Sequence, residues 1–454
     1  MNSPKGGAGP VAARPDFAEA TRVWARIGLI NFGGPAGQIA LMHRVLVEER
    51  KWISEARFLH ALNFCMLLPG PEAQQLATYV GWLLHGVRGG IVAGTLFILP
   101  GFAVVLALST IYAVFHETGW LNDLFFGLKA AVLAIVIDAV IRIGKRALRT
   151  PAAVAIAVVA FVAIYALGVP FPVIVLGAGV LGSAGVWLAP GLLAPVGHGD
   201  SNGADADEGY PAREPSAGAA LRTVLTWGLL WSVPILALGL IFGWGSIYPA
   251  LGVFFSKMAV VTFGGAYAVL AYVADAAVGT FHWLRPGEML DGLAMAETTP
   301  GPLILVLTFV GFLAAFGMPG PLAPLVGGVI GAVLVTWVTF VPSFLWIFLG
   351  APYMEKLRGN RALSGGLAAI TAAVVGVILN LAVFLGVHVL FAEVGSFDLG
   401  PLHLAWPNLA TINPWAFALS VAAAVALIVL RLGIVPTLVA CCLAGLAIRA
   451  LGGV

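Results

Sequence analysis

Residues 67–75 read LLPGPEAQQ: two prolines, a glycine, a carboxylate and two amides set into an otherwise apolar chain. Irregular backbone inside lipid is tolerated only where it is buried in protein or lines a cavity, so this stretch decides what kind of bundle the chain forms. Hydrophobic residues make up 60% of the sequence and charged residues 10%, against about 25% charged in an ordinary soluble domain. No Asp, Glu, Lys or Arg occurs from Thr150 to Pro190 or from Thr298 to Tyr353. Each of these stretches can supply two spans of about 20 residues. The runs are far longer than barrel strands, and a lipid-exposed backbone must satisfy its own hydrogen bonds, so the composition predicts an all-α polytopic membrane protein.

The landmark recurs. NFGG at 31–34 returns as TFGG at 262–265, Trp52 as Trp283, and PGP at 69–71 as PGP at 300–302, all at an offset of 231. Past PGP the register slips by one, with ATYVGW (77–82) matching LTFVGF (307–312). Farther on, Pro100 pairs with Pro342 and KAAVLAIVIDAV (129–140) with TAAVVGVILNLA (371–382), at an offset of 242. Ordered landmarks with consistent spacing predict two repeats, 17–195 and 244–454. Residues 1–16 are polar and rich in Gly and Pro, with no short apolar core, and read as a cytoplasmic tail rather than a cleaved signal. Residues 196–220 are polar and acidic and read as a disordered cytoplasmic linker. An apolar run at 221–243 has no counterpart ahead of the first repeat.

One extra crossing would turn the second repeat upside down. The cations fit that reading under the positive-inside rule. In the first half, RIGKRALR (142–149) carries cations after its long segment and HETGWLND (116–123) carries none before it. In the second half, EKLRGNR (355–361) carries them before the equivalent segment, and the loop after it carries none. VEERKWISEAR (47–57) has three cations, whereas its counterpart at 278–288 has only Arg285. Arg449 is the exception, because it would fall on the outer side. Inverted repeats with broken or re-entrant helices are a recurring architecture of secondary transporters.

The segments flanking FGG and PGP are too short to cross a bilayer, which predicts hairpins whose tips reach toward the midplane. Those tips are Phe32, Gly33 and Gly34; Pro69, Gly70 and Pro71; Phe263, Gly264 and Gly265; and Pro300, Gly301 and Pro302. Helix starts expose free N–H groups and the positive end of the dipole, so four clustered tips form an anion cradle. The competing reading makes them kinks between full spans. Arg26 and Lys257, also 231 apart and each seven residues ahead of the first FGG glycine, either supply charge for a divalent oxyanion or snorkel to the interface. Gln74, Thr298 and Thr299 are candidate donors. Glu72, Glu297 and Asp138 are proton-coupling candidates, although Glu72 also complements a helix dipole and Asp138 also suits a helix-to-helix hydrogen bond.

Cys65, Cys441 and Cys442 form no CxxC and the eight histidines show no paired ligand spacing, so neither a metal, a haem nor a disulfide frame is expected. No cofactor is expected. No GxxxxGK[ST] motif or nucleophile constellation is present, which disfavours ATP hydrolysis and an enzyme. The net charge of +2 implies no nucleic-acid partner.

FGGPAGQIALMHRVLVEERKWISEARFLHALNFCMLLPGPEAQQLATYVGW, together with TTPGPLILVLTFVGF and AAVVGVILNLAV, resembles the signature regions of the chromate ion transporter family in its long, two-domain form. The resemblance spans nearly the whole chain apart from the tail and linker. It implies a multi-pass carrier of the bacterial inner membrane that expels chromate from the cytoplasm, with sulfate as the structural mimic and competitor. Membership leaves a sulfate or other oxyanion carrier, and a passive anion channel, as open alternatives. It allows a homodimer without requiring one.

Overall fold

The computed structural model describes residues 15–32, 34–115, 119–188, 216–263, 266–353, 361–399 and 402–451. The tail up to residue 14, linker residues 196–215, and the tip glycines Gly33, Gly264 and Gly265 lie outside them. The first half comprises α1 (Phe17–Ile30), α2 (Gly34–His43), α3 (Glu55–Met66), α4 (Glu72–Phe115), α5 (Gly119–Ala147), α6 (Pro151–Leu167) and α7 (Phe171–Leu188). A joining helix, α8 (Ala217–Phe242), follows. The second half comprises α9 (Ile247–Val261), α10 (Ala266–Asp275), α11 (Pro286–Thr298), α12 (Val306–Gly317), α13 (Pro324–Gly350), α14 (Arg361–Leu390), α15 (Pro414–Ala424) and α16 (Ile434–Ala450). The protein is an all-α polytopic membrane protein, with five helices among the described residues long and apolar enough to cross a bilayer.

Helix α4 is two helices in one. Its backbone leaves helical geometry at His85 and Gly86 (φ 64, ψ −154), and the chain doubles back so that 72–84 and 87–115 run antiparallel. The fold there depends on absent side chains: a Cβ on Gly81 would sit 2.4 Å from the Gly89 carbonyl oxygen, and one on Gly89 2.2 Å from that of Gly81. The same close approach recurs between α12 and α13, where a Cβ on Gly331 would stand 2.3 Å from the Gly311 carbonyl oxygen. Small residues let helix backbones approach closely, which drives association in lipid, where no hydrophobic effect separates helix from solvent.

The tip-bearing helices are short, from 10 residues in α2 and α10 to 15 in α9. At 1.5 Å per residue they span about 15–22 Å, less than the ~30 Å hydrocarbon core. The two halves repeat each other in detail. After α2 the chain winds into a π-turn in which Arg50 N–H donates to Val45 O (3.0 Å) and Trp52 N–H to Leu46 O (2.9 Å). After α10, Phe281 N–H donates to Ala276 O (2.8 Å) and Trp283 N–H to Ala277 O (2.7 Å). Each turn carries a non-glycine residue at φ 53, Lys51 and His282, again 231 apart. Left-handed backbone is costly for residues with a Cβ, so its recurrence at matched positions marks one shared backbone design.

The far ends of the halves are exchanged. Helix α5 packs on α15 and α16 of the second half, while α14, its repeat counterpart, packs on α6 and α7 of the first. Gly127 of α5 leaves room for the Cys441 carbonyl oxygen where a Cβ would stand. The side chains of Cys441 and Cys442 pack in or against the main core and that of Cys65 in the cluster with α1 and α3. Helix α8 begins at Ala217, four residues before the expected start, because Ala217, Ala219 and Ala220 are strong helix formers. Between α14 and α15, where the sequence reads as a plain loop, Val394–Leu399 (β1) pairs antiparallel with Leu402–Pro407 (β2).

Gly81→Leu is expected to lower the thermal unfolding midpoint in detergent, by an overpacking cost of about 1–3 kcal/mol or more. Gly228→Leu on α8, where nothing lies within 4 Å, is expected to leave it unchanged, and equal midpoints would refute the close approach.

Candidate functional site

The site is built from four chain reversals. Helix α1 ends at Asn31 (φ −83, ψ 64) and α2 begins at Gly34 (φ 68). Between α3 and α4 stands Gly70 at φ 122; Thr262 ends α9; and Gly301 at φ 101 follows α11, ahead of the short 3₁₀ turn Leu303–Leu305. Glycine alone reaches such φ values without steric cost. A Cβ on Gly70 would also stand 2.8 Å from Ser343 Oγ and 2.9 Å from Gln75 Nε2.

The reversals hold one another. Gly70 N–H donates to the Thr262 carbonyl (2.8 Å), and Gly301 N–H donates to Asn31, at 2.7 Å to Oδ1 and 3.3 Å to the backbone oxygen. Gly70 corresponds to Gly301 and Asn31 to Thr262 in the repeat, so exchanging the halves turns one contact into the other. Gln38, fully buried, donates from Nε2 to the carbonyls of Asn31 (3.1 Å) and Gly301 (2.6 Å). Two carbonyl acceptors fix the orientation of its amide, and Gln38 Oε1 has no hydrogen-bond partner among the described residues.

All four reversals line one cavity: Pro35 and Gln38 from the first, Gly70 to Ala73 from the second, Thr262 and Ala266 from the third, Pro302 to Ile304 from the fourth. Its volume, counted as room for the centre of a water molecule, is about 20 Å³, enough for about one water. Two helix starts face it. The first intrahelical bond of α4 is Gln75 N–H to Pro71 O (3.0 Å), and that of the 3₁₀ turn is Leu305 N–H to Pro302 O (2.8 Å). The N–H groups of Glu72, Ala73, Leu303 and Ile304 therefore have no intrahelical acceptor. Two positive dipole ends at one small cavity are an anion-binding arrangement. Half-buried Glu72 stands in the same first turn.

The candidate residues divide accordingly. Gly70, Pro71 and Pro302 line the cavity, and Glu72 is the one proton-coupling candidate that does. Pro69 offers its carbonyl to Gln75 Nε2 (2.7 Å), and the Pro300 carbonyl lies 2.3 Å from where a Cβ of Gly101 would stand. Gly34 opens α2, whereas Gly33, Gly264 and Gly265 lie outside the described residues. Arg26 and Lys257 are not brought to the cavity: α1 buries Val23, Trp24, Ile27 and Gly28, and the phase of the helix puts Arg26 on the exposed face, as α9 does Lys257. Phe32 is 41% exposed and Phe263 packs against the main core. Gln74 donates to Thr78 Oγ1 (3.1 Å), Thr298 to Met295 O (2.8 Å) and Thr299 to Ala296 O (3.3 Å), so these expected donors are bonded within their own helices. Buried Glu297 accepts from Tyr267 O–H (2.8 Å), and Asp138 pairs with Arg142 at 3.6 Å one turn along α5. The residues that the motif reading passed over are Asn31 and Thr262, the variable letters ahead of FGG, and Gln38, the one amide in apolar α2.

A sequence profile of the family described as chromate transporter matches residues 18–183 and 249–446. The chain belongs to the chromate transporter family. The two matched regions coincide with the two halves and leave α8 between them. A chromate transport protein of Pseudomonas aeruginosa is 35% identical over 361 residues, 78% of this chain and 77% of that protein. One from Cupriavidus metallidurans is 29% identical over 394 residues, 85% of this chain and 88% of that protein. An uncharacterized transporter of Methanocaldococcus jannaschii is 24% identical over 358 residues, 79% of this chain and 81% of that protein. No solved structure matches the chain.

Gln38→Leu leaves the Asn31 and Gly301 carbonyls without this donor, and an unsatisfied buried polar group costs about 1–3 kcal/mol. A lowered unfolding midpoint in nanodiscs is expected, and an unchanged one would remove Gln38 from the tip assembly.

Proposed function

We propose that this member of the family is a secondary transporter that exports chromate from the cytoplasm, holding the tetrahedral dianion where the four tips meet. The observation that carries this reading is the cavity lined by all four reversals, two of them helix starts whose first N–H groups have no intrahelical acceptor. Relatives that share most of the chain's length are named chromate transport proteins. Backbone N–H donors bind charge and shape without reading chemical identity, so sulfate, a dianion of the same geometry, competes.

Alternating access follows from the reciprocal contacts. Contacts that interconvert when the halves are exchanged are what a pseudo-two-fold axis produces, and the cation pattern supports an axis in the membrane plane, as in inverted-repeat carriers. The cavity of about 20 Å³ is too small for a chromate ion. Binding therefore parts the tips, breaking the Gly70–Thr262 and Gly301–Asn31 bonds and releasing two further N–H donors to the substrate. The four-tip contact is a closed state, and a continuous pore, as a passive channel requires, would not need it. An ionised Glu72 beside an entering dianion is repulsive, so a proton joins Glu72 when the anion enters. In this reading the proton leaves with the anion, so export moves net negative charge outward, driven by the membrane potential and opposed by the pH gradient. Arg26 and Lys257 act from the exposed faces of their helices by drawing anions toward the tips, without touching them.

The test is chromate uptake into everted membrane vesicles, with the pH gradient and the potential collapsed separately. Concentrative uptake abolished by collapsing the potential and at least tenfold weaker in Gly70→Ala is expected, with Glu72→Gln removing its dependence on the pH gradient. Downhill flux insensitive to both gradients would replace the carrier by a channel, and sulfate flux without chromate flux would make sulfate the substrate.

A further inference from the structure

A second cavity, of about 490 Å³, lies at the opposite end of α11 from the tips; Tyr112, His282, Arg285, Glu288, Leu313 and Phe316 are among the residues that line it. Directly behind Tyr112 is a charge cluster that none of the repeat landmarks points to. The Tyr112 hydroxyl donates to Asp291 Oδ2 at 2.8 Å, and Lys129 Nζ lies 3.0 Å from Asp291 Oδ1. Asp291 is 5% exposed. Tyr112 and Lys129 come from α4 and α5 of the first half, Asp291 from α11 of the second. The repeat counterparts of Lys129 and Asp291 are Thr371 and His60, so the cluster has no twin. Asp291 is six residues before Glu297, about 9 Å of helix rise, which separates the cluster from the tip cavity.

A buried ion pair is a poor way to fasten helices, since an apolar contact of similar volume does so at no desolvation cost, and charges within membrane segments mark ion pathways by default. The geometry of this one is specific. Two donors, an ammonium and a hydroxyl, are aimed one at each oxygen of a single carboxylate, and the same pair can serve two oxygens of a tetrahedral oxyanion. Tyr112 forms both the wall of the cavity and one of the two donors, so an anion in the cavity has a route to them. Arg285 favours anions at this mouth and Glu288 opposes them.

We infer that Lys129 and Tyr112 form a second oxyanion site beside this cavity, occupied by the Asp291 carboxylate whenever substrate is absent. The inference rests on the oxyanion reading of the transporter but not on the tip cavity. An arriving dianion takes over the two donors and Asp291 swings aside; when the anion leaves, Asp291 returns and keeps Lys129 neutralised.

The experiment is calorimetric titration of the full chain in nanodiscs with sulfate as the probe. Asp291→Asn is expected to bind sulfate at least tenfold more tightly than wild type, and adding Lys129→Met is expected to erase the gain. No gain in Asp291→Asn, or a gain that survives Lys129→Met, overturns the proposal and leaves the pair a structural fastener. Should Asp291→Asn not fold, a single cysteine at Leu313, in a chain whose native cysteines are serine, is labelled with a polar thiol reagent. Sulfate is expected to slow labelling at least threefold, and less so with Tyr112→Phe; labelling indifferent to sulfate overturns the site. The sulfate gain in Asp291→Asn together with normal transport by Gly70→Ala would sink the tip reading instead. Loss of transport in Gly70→Ala without the gain would sink only this one.

Discussion

Two hydrogen bonds, Gly70 N–H to Thr262 O and Gly301 N–H to Asn31, hold the middle of this molecule together. Each half breaks its helices at FGG and at PGP, and a broken helix in lipid leaves donors and acceptors that water cannot reach. The first half supplies acceptors for the breaks of the second and the second for those of the first. Neither half satisfies its own interrupted backbone, so neither is expected to be stable in a bilayer alone.

The exchange of the outer helices says the same at larger scale. Helix α5 is clamped by α15 and α16, and α14 by α6 and α7, so each half closes the other's perimeter. Glycines do the close work. Gly81 with Gly89 and Gly311 with Gly331 bring antiparallel helices to backbone contact, which stiffens the hairpins that carry the tips. The long helices then serve as frame and the short ones as working parts.

The architecture was legible in the chain because a repeat is a relation between positions. NFGG with TFGG, PGP with PGP and Trp52 with Trp283 fix their spacing whatever the helices do in detail, and the structure repeats its turns at those positions down to the φ values of Lys51 and His282. What the sequence leaves open is helical phase. Arg26 and Lys257 are paired by the repeat and close to the tips along the chain, yet a 100° step per residue puts them on exposed faces. Thr298 and Thr299 have the right chemistry, but their hydroxyls turn to carbonyls of their own helix, a competition that spacing cannot foresee. The Lys129–Asp291 contact joins residues 162 positions apart, and only the packing of α5 on α11 brings them together.

The repeats match in backbone but not in ionisable groups. Glu72 corresponds to Leu303, Glu297 to Met66, Asp291 to His60 and Lys129 to Thr371. In the proposed alternating-access cycle, two equivalent halves left to themselves would favour neither face of the membrane, because exchanging the halves converts one arrangement into the other at equal energy. Charges placed in one half only remove that degeneracy. In that cycle a handful of side chains would decide which orientation is the resting state, while the architecture stays even-handed. Reversing that bias in the proposed cycle would take the transplanting of these four residues, with no helix rebuilt.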